Sequence, residues 1–175
     1  MIAAVEALVP TDNGVLMVRD VTADAPQDRR PAWNAIRIPN SRRALQFAAA
    51  DGVLLIRCAH PLSRPRLRLE ISDTKFGQDE AGWDWAYRGT LELRSGRLRV
   101  ESGDTIIAEP LLDIDAGAGP GSYHVALGHA GRAEYLHQSR QVEQETVASD
   151  RDEWIAAWQR IAGIERYLVR IWPAT

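Results

Sequence analysis

The residues able to do chemistry are few. The 175-residue chain holds four histidines, His60, His124, His129 and His137, and one cysteine, Cys58. Neutral imidazoles in pairs are the usual ligands of zinc or iron. His124 and His129 are the candidate pair here, but they are five residues apart. In one straight strand they point to opposite faces, so only a bulge or a returning loop carrying His137 or Asp115 could complete a site. Cys58 closes an apolar run, where a thiol behaves as a small hydrophobe and not as a nucleophile. The adjacent acids Asp79/Glu80 and Asp152/Glu153 lie in polar segments, the setting of solvated surface more than of a tuned acid/base pair.

The stretch Asp113-Ile114-Asp115-Ala116-Gly117-Ala118-Gly119-Pro120-Gly121 has three chemical readings. A dinucleotide loop needs a helix N-terminus after it, and a strand pattern follows instead. A P-loop needs a terminal lysine, and none is near. A calcium loop beginning at Asp113 would place His124 where a bidentate glutamate belongs. The stretch therefore reads as a turn between strands. No Gly-x-Ser-x-Gly elbow occurs either. With no complete constellation, the pattern favours a protein that is not an enzyme and needs no cofactor.

Aromatic side chains are the remaining chemical resource. Trp83, Trp85 and Tyr87 recur at period two and could stack bases or sugars if exposed. The interleaved Asp84 and Ala86 are not a basic series, so no nucleic-acid partner is expected and core packing is the better reading.

These residues must be positioned by strands. Composition is that of an ordinary globular chain, 45% hydrophobic and 26% charged, with net charge −3. The length suits one domain over residues 1–175. The lone cysteine and the absence of a normal signal sequence point to the cytoplasm. No uninterrupted apolar run is long enough for a membrane helix, so no membrane partner is expected. Of the 21 basic residues only Lys75 is lysine, a bias that a GC-rich genome explains. Residues 1–68 carry net +4, residues 69–112 net −4 and residues 113–165 net −5, so acidity concentrates after the first third.

Period two dominates the chain. Trp83–Arg99 reads as a hairpin about Ser95-Gly96, pairing Leu93 with Leu98, Leu91 with Val100, and Glu92 with Arg99. Ala3–Val9 and Val15–Arg19 read as an opening hairpin about Pro10–Gly14. Val53–Cys58 is a strand buried on both faces, and Pro65–Ile71 one with a wet face. Ser122–His129 turns Tyr123, Val125 and Leu127 inward, and Arg166–Trp172 does the same with Tyr167, Val169 and Ile171. Thr105–Ile114 is a weaker strand because of Pro110. Ala23–Asn40, with three prolines, reads as a surface connection anchored by Trp33. A helix opens at Ser149, stripes Trp154, Trp158 and Ile161 along one face, and stops at Gly163. The expected class is mainly β, an antiparallel β-sandwich or partly closed barrel with one C-terminal helix.

Four segments carry a resemblance: Asp51-Gly52-Val53-Leu54-Leu55-Ile56, Ser95-Gly96-Arg97-Leu98-Arg99-Val100, Pro120-Gly121-Ser122-Tyr123-His124-Val125, and Glu165-Arg166-Tyr167-Leu168-Val169-Arg170-Ile171-Trp172-Pro173. Their rhythm, ending in a Tyr…Trp-Pro strand, resembles small bacterial β-sandwich proteins that include competence-nuclease inhibitors and toxin-associated immunity proteins. The chain departs from them in its C-terminal helix and its mild acidity. The resemblance implies a protein-binding module that covers a toxin or nuclease, and it carries over no site residues.

For such a module the candidate contacts are acidic: Asp79, Glu80, Asp84, Glu143, Glu145, Asp150 and Asp152, set to oppose a basic patch. The rival expectation is a ligand- or metal-binding barrel of cupin or lipocalin shape, built around His124 and His129. A homodimer through an exposed strand edge is a further expectation.

Overall fold

The computed structural model describes residues 2–11, 13–36, 46–77, 81–102 and 111–174. In chain order the described elements are β1 (Ala3–Leu8), β2 (Val15–Asp20), α1 (Pro26–Ala35), β3 (Gln46–Ala50), β4 (Val53–Arg57), β5 (Arg66–Ile71), β6 (Asp84–Leu93), β7 (Arg97–Glu101), β8 (Ile114–Asp115), β9 (Gly121–Ala130), α2 (Arg132–Glu145), α3 (Arg151–Arg160) and β10 (Arg166–Pro173). The strands form two five-stranded sheets, ordered β1-β5-β10-β9-β6 (sheet A) and β3-β4-β2-β7-β8 (sheet B). The mainly β, sandwich-like class stands. Neither sheet closes into a barrel, and the described helices number three instead of one.

Alternation builds the core. Leu67, Leu69 and Ile71 of β5, Tyr123, Val125 and Leu127 of β9, and Tyr167, Val169 and Ile171 of β10 face Leu16, Val18, Leu54, Ile56, Leu98 and Val100 of sheet B. Most of these are fully buried, so apolar side chains fill the space between the sheets. The lipocalin-like interior therefore has no counterpart among the described residues.

Two expected hairpins are instead crossings between the sheets. β6 pairs with β9 in sheet A, whereas β7 pairs with β2 and β8 in sheet B. Leu91 and Leu93 meet Leu98 and Val100 across the core and not side by side. Period two marks which residues point inward, and that mark is the same whether the next strand lies beside or opposite. The expected Glu92–Arg99 pair is absent: Glu92 stands opposite Ser122, and Arg99 lies 3.6 Å from Glu101. Likewise β1 pairs with β5 and β2 with β4 and β7, so Pro10–Gly14 also crosses over. A true two-residue hairpin joins β3 to β4 at Asp51 and Gly52, both with positive φ, as such tight turns require. The sheets are not purely antiparallel, because β10 runs parallel to β5.

Asp20 fixes the β6–β7 crossing. Its carboxylate accepts bonds from Thr22 N (2.7 Å), Thr22 Oγ1 (2.5 Å), Ser95 N (2.9 Å) and Ser95 Oγ (2.8 Å). Burial by itself would raise its pKa, but these donors outweigh it and the net shift is downward. A carboxylate depressed in the fold contributes stability above its unfolded value and loses it as pH falls through the folded value. Asp20→Asn is expected to cost about 2 kcal/mol at pH 7. Urea titrations repeated at descending pH should show that difference shrinking below about pH 4, the ordinary carboxylate value.

Residues Ala23–Asn40 are not wholly a connection. Pro26–Ala35 is helical, with Pro26 in the first turn, where a missing N–H costs nothing. Pro31 loses one helical bond, yet Ala32 and Ile36 pack on Met17, Ala48 and Leu55 outside sheet B. Trp33 is 39% exposed and is no anchor. Of the expected strand Thr105–Ile114, residues 105–110 lie outside the described ones, and β8 begins at Ile114.

Candidate functional site

β9 leads straight into a pair of helices. Gly131 makes that corner at φ +72°, where a Cβ would collide with the Ile164 carbonyl oxygen. On α2 the residues Tyr135, Ser139 and Val142 are buried, the i, i+4, i+7 stripe of a helix packed on one side. On α3 the buried residues are Ala157 and Trp158, joined by Ile161 just past its end. These faces pack together over Ala59. Asp150 caps α3, its Oδ1 accepting from Asp152 N and Glu153 N at 2.9 Å. The cap is thus one residue later than Ser149, and Gly163 takes the positive φ that ends the helical stretch. α2 has no counterpart among the elements expected from the sequence.

Residues 143–154, from the end of α2 to the first turn of α3, expose both apolar and acidic side chains. Val147 is 85% exposed and Trp154 38%, two of the few large apolar side chains left in solvent. In the same stretch Glu143, Glu145, Asp150, Asp152 and Glu153 are all exposed. Arg140, Arg151 and Arg160 dilute the charge, so residues 140–160 carry net −2. His60 braces the pair from the β4–β5 connection. Its ring stacks on Trp158 with centroids 4.8 Å apart, and its Nε2 lies 3.1 Å from Glu143. Leu62 N–H donates to His60 Nδ1, which leaves the ring proton on Nε2 to donate to Glu143. Glu145 pairs with Arg160 at 2.7 Å, an exposed contact worth under about 1 kcal/mol.

Of the expected acidic contacts, Glu143, Glu145, Asp150 and Asp152 lie within this one stretch and are exposed. Asp84 stands apart at the start of β6, opposite His129. Asp79 and Glu80 lie outside the described residues.

His124 and His129 do not converge. His124 is on the outer face of sheet A against Trp172, with ring centroids 5.4 Å apart. His129 faces the other way, and burial together with Arg132 pushes its pKa down, so it is neutral at pH 7. Among the described residues no group of three or more His, Cys, Asp or Glu side chains could hold a metal ion. No described helix is long and apolar enough to cross a membrane.

A second set of polar groups is buried beneath the helices. Glu165 Oε1 accepts from Ala59 N (2.8 Å), Arg132 Nη1 (2.9 Å) and Tyr167 Oη (2.5 Å), and Oε2 accepts from Ser63 Oγ (2.5 Å). Glu165 and Tyr167 are fully buried. Burial drives the Tyr167 hydroxyl and the Cys58 thiol well above their usual pKa values, so neither is a nucleophile at neutral pH. This cluster locks α2, β10 and the β4–β5 connection together.

The tryptophan strand divides. A bulge between Trp85 and Tyr87 shifts the register, so Tyr87 turns toward the core against Phe47 while Trp85 lies outside over Gly128. There Trp85 meets Arg88 of its own strand and Arg170 of β10, two strands away, a combination that no single strand's alternation discloses.

Fold and surface together define a two-sheet sandwich with an α-helical hairpin that carries an exposed apolar–acidic turn. Comparison with solved structures finds the same fold over the whole chain. The structure titled crocagin biosynthetic gene J matches at a TM-score of 0.54 with 15% identity, covering 99% of this chain and 98% of that one. ComJ from Bacillus subtilis, described as an inhibitor of the DNA degrading activity of NucA, matches at 0.50 with 13% identity over 99% of both chains. The resemblance to competence-nuclease inhibitors drawn from strand rhythm is thus matched in three dimensions. No protein-family model matches the sequence, and no curated protein matches it.

Proposed function

We propose that the protein is a non-enzymatic, inhibitor-type module that binds a partner enzyme of the nuclease kind and blocks it. The observation that carries this reading is the end-to-end fold shared with ComJ, whose stated role is inhibition of a nuclease. The contact surface is the α2–α3 turn. Exposed Val147 and Trp154 supply an apolar centre, and Glu143, Glu145, Asp150 and Asp152 supply a rim that opposes a basic patch. Such a rim speeds encounter with a cationic partner, while the apolar centre sets residence time. An immunity-type role in the cytoplasm accords with the single thiol, which is buried and reduced.

The test is capture followed by titration. The tagged protein is expected to retain a basic nuclease from the source organism, and to abolish its DNA cleavage at near-equimolar ratio. Association should slow about tenfold or more between low and physiological salt, because rim charges act through steering. Cleavage that persists at large molar excess over every nuclease of the source organism would overturn the reading.

A further inference from the structure

Sheet A has two edges, and they differ. The β6 edge is broken by the bulge between Trp85 and Tyr87, and Tyr87 leans on Phe47 of sheet B. The β1 edge is regular. Ala3–Leu8 pairs residue for residue with β5 and has no described strand on its other side. The usual protections of an edge are missing, since Ala3–Leu8 has no proline, no lysine and no break in register. Its one charge, Glu6, is paired with Arg66 at 3.1 Å.

The phase of the hydrogen bonds fixes which backbone groups are open. The N–H groups of Arg66 and Ser72 donate to the carbonyls of Glu165 and Ile171, so the even residues of β5 face β10 and its odd residues face β1. Val9 N–H donates to the Pro65 carbonyl, which sets the odd residues of β1 against β5. Ala4, Glu6 and Leu8 therefore direct their N–H and C=O groups away from β5, and among the described residues those groups have no hydrogen-bond partner. Ala3, Val5 and Ala7 pack against the core yet are only partly buried, whereas Leu67, Leu69 and Ile71 opposite them on β5 are buried. The core is left open along β1, where one more strand would close it.

We infer that β1 pairs antiparallel with β1 of a second copy, about a two-fold axis through Val5. The strand complements itself in that register. Val5 meets Val5 and Ala3 meets Ala7 on the core side, while Ala4 meets Glu6 on the outer side and supplies the hydrogen bonds. Leu8, 40% exposed, comes beside Ile2 of the second copy, itself 47% exposed. The next hydrogen-bonded register, centred on Glu6, would set two Glu6 carboxylates face to face, a repulsion that the Val5-centred one avoids. That the strand matches its own reversal is what singles out a second copy over a strand of another protein. So few paired residues bury less than the roughly 1,200 Å² of a standard interface, so the dimer is weak, with a Kd on the order of micromolar. The inference does not rest on the nuclease-inhibitor reading, and its test uses no nuclease.

Sedimentation of the full chain from about 1 to 500 μM should carry the average mass from that of the monomer toward twice it. Ala4→Pro removes an outward N–H and none that bonds β5, a position where an edge strand tolerates proline. It should weaken dimerisation by about tenfold or more with an unchanged thermal midpoint. Val5→Cys tests the register even if Ala4→Pro does not fold. The facing Val5 positions form a non-hydrogen-bonded pair with Cα atoms about 4.5 Å apart, within disulfide reach, whereas Ala4 lies opposite Glu6. Mild oxidation should therefore cross-link Val5→Cys into a dimer at least about tenfold faster than Ala4→Cys, the native Cys58 being buried. The inference fails if the wild type stays monomeric throughout that range, if folded Ala4→Pro dimerises as the wild type does, or if Ala4→Cys cross-links as fast as Val5→Cys.

Discussion

Replacing Glu165 by alanine is expected to destabilise the fold by about 3–5 kcal/mol, the cost of leaving a buried charge without its partner. The carboxylate collects four donors, from Ala59, Ser63, Arg132 and Tyr167. Its removal takes the carboxylate from the Arg132 guanidinium, 5% exposed, which keeps the neutral Arg57 carbonyl and Tyr167 hydroxyl, and leaves the Ala59 N–H and Ser63 hydroxyl to find other acceptors. A loss of that size consumes a large share of the roughly 5–15 kcal/mol that holds a domain together. Glu165→Gln keeps the shape and one acceptor oxygen, so it should cost less. Urea denaturation of the two variants measures both, and a Glu165→Ala loss under about 1 kcal/mol would show that the cluster is not a lock.

The second large effect concerns the partner. Trp154→Ala is expected to weaken inhibition of the captured nuclease by about 2–4 kcal/mol, a factor of roughly 30 to 1000, as buried interface tryptophans do. Trp154 also touches Trp158 at 6.1 Å, so part of any loss could arise inside the helix pair. Val147→Asp separates the two causes. At 85% exposure it should leave stability within about 0.5 kcal/mol, yet place a desolvated carboxylate at the centre of the interface. Unchanged inhibition by Val147→Asp, with an unchanged thermal midpoint, would move the contact surface away from the α2–α3 turn.

Much of the sandwich was legible because burial enforces period two. Tyr123, Val125 and Leu127, and Tyr167, Val169 and Ile171, announced inward faces that the structure keeps. Sheet membership was not legible. Leu93 and Leu98 read as cross-strand neighbours because the same alternation serves a hairpin and a crossing, and a contact that holds the crossing, Asp20 on Ser95, is distant in sequence. α2 was hidden by its composition: its buried stripe is Tyr135, Ser139 and Val142, too polar and too short to outweigh its many charged and amide side chains. The helix in Pro26–Ala35 was masked by prolines that normally argue against one. That four acids of the α2–α3 turn are exposed was legible from their charge, whereas Val147 drew no notice because a lone valine carries no periodic signal. The Trp85–Arg170 contact escaped for a different reason. Arg170 and Trp85 belong to strands on either side of β9, and a bulge rotates Trp85 to meet them. The outward alternation of Arg166, Arg170 and Trp172 was the available hint.

The central position of β10 has a consequence for the order in which the molecule can assemble. β10 lies between β5 and β9, so without it sheet A is two separate pieces, β1-β5 and β9-β6. Neither two-stranded piece is stable alone. β10 follows every other described element, so a ribosome must make all of them before sheet A can close. Until then β5 and β9 each hold an open edge, the kind of surface that invites pairing with the wrong chain. Sheet A is therefore completed only after its other strands are made and through distant contacts, which makes folding slow and gives β10 control over whether the sheet forms.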